Sequence, residues 1–150
     1  MTSTIKQVVG TRTAVTISLN SLASATYVQS SDVDFTTNQP VNVALELAIT
    51  PGTVSGNKKA HLFAVVSLDG TNYTTGPTSS TSATDEENHL YVGSLPLNTN
   101  STLQRKVFNL VDAIGWVPPH AKFVVRNDSG AAFSGSNCTL YYSEISATVV

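Results

Sequence analysis

Apolar and polar residues alternate along much of this chain, most regularly between Val41 and Thr50. Val41, Val43, Leu45, Leu47 and Ile49 fall on one side of that run, with Asn42, Ala44, Glu46 and Ala48 on the other. A period of two matches the pleat of a β-strand, whereas a helix would scatter the same residues around its surface. Pro51-Gly52 ends the run, since Pro cannot donate to a ladder and Gly permits a reversal. A second run, Ala60 to Leu68, places Leu62, Ala64, Val66 and Leu68 on one face and Phe63 and Val65 on the other. A strand apolar on both sides is covered on both, by a second sheet or by a neighbouring subunit. Asp69-Gly70-Thr71-Asn72 follows as a hairpin turn closing onto Tyr73-Thr74-Thr75.

Further strands are expected over Leu90–Leu95, Leu103–Leu110, Ala121–Asn127 and Thr139–Val150, with Val15–Leu19, Tyr27-Val28 and Val33–Phe35 as shorter ones. Gly76 to Glu87 holds no apolar residue except Ala83 and reads as an exposed loop. Val111 to Val117 has room for one helical turn before Pro118-Pro119 stops it, with Trp116 as a core plug beside the break. The pattern therefore predicts an all-β fold. It is an antiparallel β-sandwich, jelly-roll-like, with about eight to ten strands and at most one short helical turn. Residues 13–150 form the single sandwich domain. Residues 1–12 are an N-terminal arm, polar apart from Ile5, Val8 and Val9, that would fray alone.

Composition narrows the function. Of 150 residues only 12% are charged, the net charge is −2, and Ser, Thr and Asn make up about a third of the chain. The eight Lys and Arg are scattered rather than gathered on one face, which argues against nucleic acid as a partner. No stretch is long and apolar enough to span a bilayer, so no membrane partner is expected. The first residues lack the apolar run of a signal peptide, so synthesis in a cytoplasm is the expectation. Cys138 is the single cysteine, which excludes an intrachain disulfide and suits a small buried apolar residue.

Candidate chemistry is sparse. His61, His89 and His120 show no metal-ligand spacing, and no cofactor or metal is expected. Asp85-Glu86-Glu87-Asn88-His89 is the densest polar cluster, but it lacks the alternating acidic pattern of a calcium loop and reads as a solvated tip. No nucleophile stands beside a base in a recognisable motif, so no enzyme is expected. Tyr141 and Tyr142 are adjacent on one strand, so one of them faces away from the core. An outward Tyr suits a subunit interface or a ligand face.

Four blocks in order carry a resemblance. They are Ser67–Tyr73 with Thr75–Ser79, Gly93–Asn100, Gln104-Arg105-Lys106, and Val125–Ala132. Together, over roughly Ala44 to Ser143, they resemble small virion structural proteins of tailed bacteriophages, of the capsid-decoration (cement) or tail-associated kind. The resemblance implies a particle component and assigns no functional residue. A low-charge Ser/Thr surface agrees with it, because such a surface is buried against other copies at little desolvation cost. The expectation is a non-enzymatic decoration protein that binds and stabilises an assembled shell within the virion. Its partners would be copies of itself, as a trimer, and the major capsid protein or other virion proteins. Ile5, Val8 and Val9 of the arm, outward Phe63 and Val65, Tyr141 and the Gly76–Glu87 loop are the expected contacts. A neck or tail component and a glycan-recognising module are the alternatives.

Overall fold

The computed structural model describes residues 3–150, so Met1 and Thr2 of the expected arm lie outside the described residues. The described residues form ten strands, one short α-helix and a single 3-10 turn at Glu86–Asn88. The long run at Val41 becomes β5 (Asn42–Ile49) and the doubly apolar run becomes β6 (Lys59–Ser67). Before them come β1 (Ile5–Val9), β2 (Thr13–Ala14), β3 (Tyr27–Gln29) and β4 (Val33–Asp34). After them come β7 (Leu90–Pro96), β8 (Gln104–Asn109), α1 (Leu110–Ile114), β9 (His120–Asp128) and β10 (Thr139–Val149). The helical turn is α1: Asn109 caps it by accepting from the Asp112 amide at 3.1 Å, and Gly115 ends it at φ 89°.

The strands form two antiparallel sheets. In the first the order is β1-β10-β5-β8, with β2 continuing the β1 edge along β10. In the second it is β3-β9-β6-β7, with β4 continuing the β3 edge along β9. Counting each interrupted edge as one position leaves four positions per sheet, and apart from β6 and β7, which pair with each other, successive positions alternate between the sheets as in a jelly roll. The last strand thus lies inside the first sheet, between the first strands and β5.

The core sits between the sheets. Val43, Leu45, Leu47 and Ile49 point inward from β5, Leu62 and Ala64 from β6, and Phe123 and Val125 from β9, all without solvent exposure. Each such Leu, Ile or Phe contributes about 1.5–3 kcal/mol of transfer free energy. Phe108 also reaches the core, lying so close to Gly93 that a Cβ there would stand 2.6 Å from its ring. Gly93 lies beside a register shift between β6 and β7, and its open φ of 156° fits a position where a side chain is excluded. Cys138 is buried, and that burial pushes its thiol pKa up.

Several expectations are corrected. The arm expected to fray alone is not alone over residues 5–9, where β1 pairs with β10 from Ile5↔Val149 to Val9↔Ile145. Leu68 lies past the end of β6 and is 77% exposed, and Trp116 is 40% exposed rather than a core plug. The hairpin after β6 is reduced to one bridge, Ser67↔Tyr73, tightened by Asp69 accepting from the Thr71 and Asn72 amides. Those amides hold the Asp69 carboxyl far below the usual carboxylate range.

The turn at Asn127 hides a polar hub. Asn127 is fully buried, and its Nδ2 donates to the Leu22 and Ala131 carbonyls, each at 2.8 Å. Its Oδ1 accepts from the Ser129 amide at 3.0 Å and hydroxyl at 2.7 Å. One side chain thereby joins the end of β9, the following turn and the segment before β3. Asn127→Ala is expected to cost about 2 kcal/mol, since it leaves buried polar groups short of partners. Urea denaturation of the purified domain measures that loss.

Candidate functional site

The strand registers bring one end of the sandwich together. Asn42 of β5 faces Ile145 of β10, Ala44 faces Asn109 of β8, and Ser67 of β6 faces His120 of β9. The segments 35–41, 68–89 and 110–119 therefore emerge at the same end. Beyond it the first sheet continues as a two-stranded ribbon made of β1 and the last third of β10. Every residue of β1 is exposed, as are Ala147 to Val149 opposite it.

The ribbon is two-sided. Pairing places Ile5, Gln7, Val9, Ile145, Ala147 and Val149 on the outer face of the first sheet. Lys6, Val8, Ser146 and Thr148 lie on the other face. One side is thus apolar except for Gln7 and the other mostly polar. Ile5 is 72% exposed and Val149 is 71% exposed, so nothing covers the apolar side.

Exposed apolar side chains gather at this pole. Ile5, Val8, Val9, Val149 and Val150 come from the ribbon, and Val41, Leu68 and Trp116 from the neighbouring segments. Tyr91, Leu103 and Val107 are the other large exposed ones among the described residues. Leu68 and Trp116 line one open cleft of about 550 Å³ with Tyr73 and Asp69. Phe35, Pro40, Val117 and Pro118 line a smaller one of about 270 Å³. Ile5, Val9 and Val149 share the outer face of the ribbon, and exposed apolar side chains grouped in this way mark contact sites.

The ribbon is clamped to the sheet at its base. Arg12 Nη2 donates to Glu46 Oε1 at 2.6 Å, and the guanidinium lies 3.4 Å from the Tyr141 ring centroid. Tyr141 is the outward member of its pair, as the alternation requires. Tyr142 points inward and meets Phe35 edge-on with ring centroids 5.9 Å apart. Tyr141 is half-buried beneath Arg12, so its ring face belongs to this clamp.

Phe63 and Val65 lie elsewhere. They are on the outer face of the second sheet, but only 6% and 1% exposed, in a small cluster with Tyr27, Val124 and Tyr73. The expected open face at Phe63 and Val65 is corrected, because the chain covers them itself. The Gly76–Glu87 loop folds back as a strap: the Tyr27 amide donates to the Ser80 carbonyl at 3.0 Å. The Tyr27 hydroxyl donates to Glu86, which also receives Arg126 Nη1 at 3.3 Å. Burial, aided by Glu86, pushes the Tyr27 hydroxyl up to about 12. Glu86, read as part of a solvated tip, is instead an anchor of the strap.

At the end of the strap His89 is 4% exposed, and neither ring nitrogen has a hydrogen-bond partner. Its ring sits against Gly76, where a Cβ would collide with it, and 6.1 Å from the Phe63 ring. His61, Phe63, Tyr91, Glu87 and Arg126 complete a cleft of about 460 Å³ here, with Tyr91 half exposed. His120 lies apart, 2.9 Å from Asp32. Among the described residues no three His, Cys, Asp or Glu side chains converge on one point that would hold a metal.

Burial lowers the pKa of both His89 and His61, against the opposing pull of Glu86 and Asp128 respectively. A depressed imidazole favours the neutral form in the folded state. Its contribution is therefore intact above the ordinary value of 6.5 and is lost as pH falls below it. The domain is expected to lose stability from neutral pH to about pH 5, with a smaller loss in His89→Phe. Denaturant midpoints across that range test this. The chain matches no protein-family model and no characterised relative, so the geometry of the pole and the residue patterns are what bear on its role.

Proposed function

We propose that this chain is a non-enzymatic structural protein of a tailed-phage virion, a decoration protein that binds the assembled shell. The observation that carries the reading is the gathering of exposed apolar side chains at the ribbon pole of a surface otherwise poor in charge. The sequence blocks that resemble small virion proteins support a place in such a particle. The exposed apolar residues of the ribbon pole support a contact role.

The mechanism is mass action. A protein that binds the assembled shell and not its dissociated subunits adds its binding free energy to the assembled state. Ile5, Val9, Ile145 and Val149 would meet the major capsid protein, each contributing about 1–2 kcal/mol when covered. Such contacts desolvate few charges, since Lys6 is the sole charged residue of β1. Copies of the chain would stand beside one another on the shell.

A second reading, glycan recognition, draws on the cleft beside half-exposed Tyr91. An aromatic face next to polar groups suits the apolar side of a sugar ring. Saturable binding on a glycan array that Tyr91→Ala abolishes would establish that reading instead.

Shells lacking the protein, mixed with the purified chain and sedimented, provide the test. The wild type is expected to co-sediment in saturable fashion, at hundreds of copies per particle. Ile5→Asp with Val149→Asp is expected to weaken attachment by about tenfold or more, with the melting temperature of the sandwich little changed. Attachment that ignores this double substitution, or a handful of copies per virion, would overturn the decoration reading; a handful would favour a neck or tail position.

A further inference from the structure

The face of the ribbon and its edge are different surfaces, and the edge has its own geometry. β1 ends the strand order of the first sheet, so one of its sides pairs with β10 and the other is open. Thr4 and Val150 exchange both of their backbone hydrogen bonds, at 3.0 and 2.9 Å, and the Gly10 amide donates to Glu144 at 2.7 Å. In an antiparallel ladder such pairs alternate along the strand. Thr4, Lys6, Val8 and Gly10 therefore aim their backbone groups at β10, while Ile5, Gln7 and Val9 aim theirs outward. Three amides and three carbonyls form a row along about 17 Å of extended edge.

We infer that this edge pairs with the same edge of a second copy, antiparallel about a two-fold axis at Gln7. The register follows from the direction of the backbone groups. Centring on Gln7 sets Ile5 opposite Val9 of the second copy, Gln7 opposite Gln7, and Val9 opposite Ile5. Every outward amide and carbonyl of β1 then finds a partner. Side chains agree with the same register, because Lys6 falls opposite Val8 and never opposite the other Lys6. The strand is thus complementary to itself in both its hydrogen bonds and its charge, as an isologous contact requires.

Two further considerations favour a second copy as the occupant. A two-stranded ribbon is marginal in water, and pairing turns two ribbons into one four-stranded sheet, β10-β1-β1-β10. Antiparallel overlap also leaves the two sandwiches at opposite ends of that sheet. The apolar faces of both ribbons then form one continuous surface. This inference uses only the edge, so it stands or falls apart from the virion reading.

Sedimentation velocity over a concentration series tests it with three variants. Gln7→Pro removes the central outward amide while leaving the β10 ladder intact, since proline is tolerated where the amide faces solvent. It is expected to be a folded monomer. Val8→Lys sets like charges face to face twice per dimer and is expected to weaken association about tenfold at low salt, whereas Val8→Glu sets two ion pairs and is expected to strengthen it several-fold. Circular dichroism melts confirm that each variant keeps its sandwich. A wild type that stays monomeric throughout, or an oligomer indifferent to Gln7→Pro and to the sign of charge at position 8, would overturn the pairing.

Discussion

Register is the constraint on which the rest of this molecule depends. In β5 the side chains at 43, 45, 47 and 49 are shut away from water, while Glu46 between them reaches Arg12 on the outer face. A slip of one residue would drive Glu46 into the core and expose two leucines, which no neighbouring contact compensates. The register of β5 with β8 and β10, and of β6 with β7 and β9, is thereby fixed. Fixed registers determine where strands stop, and the stopping points gather three connecting segments and the ribbon at one pole. The exposed apolar pole is a by-product of the way the core is locked.

Sheet edges show the same economy. On β8, Arg105 and Lys106 are exposed, and Lys106 Nζ donates to the Ser94 carbonyl of β7 at 3.0 Å, tying the two sheets along that side. β7 carries the irregularity beside Gly93 and ends on Pro96. The edge made of β3 and β4 is broken between Gln29 and Val33. These are recognised ways of discouraging edge-to-edge association. β1 has only Lys6 to discourage it, and that lysine lies on the polar face.

Much of this was legible in the alternation of residues. β5 and β9 follow period two, and the inward side of each agrees with its apolar side, because packing two sheets face to face leaves each strand one choice; in β10 Leu140 and Tyr142 face the core while Ile145, Ala147 and Val149 lie on the outer face. Pairing partners were less legible. β1 is a short segment whose partner lies about 140 residues further along, and no local pattern announces that. Phe63 and Val65 announced a two-sided strand, yet their cover is a Ser- and Thr-rich strap whose path depends on one carboxylate, Glu86, reaching Tyr27 and Arg126. Asn127 looks like an ordinary turn residue until its four partners are known. Leu68 and Trp116 are apolar but stand beyond the strand ends, where the core no longer reaches. Their exposure belongs to the pole, and sequence pattern alone assigns them to the interior.

The place of β10 between the first strands and β5 also shapes how the chain acquires its fold. The second sheet draws on β3, β4, β6, β7 and β9, all of which precede β10 in the chain. The first sheet cannot close earlier: without β10, β1 and β2 have no partner and β5 has only β8. Chains dominated by distant pairings fold slowly, and their open strand edges stay exposed while they wait. The strand made last is therefore the keystone of the sheet that carries the ribbon. A nascent chain acquires its ribbon only at the end of folding, so an incomplete copy lacks the surface that the proposed role would use.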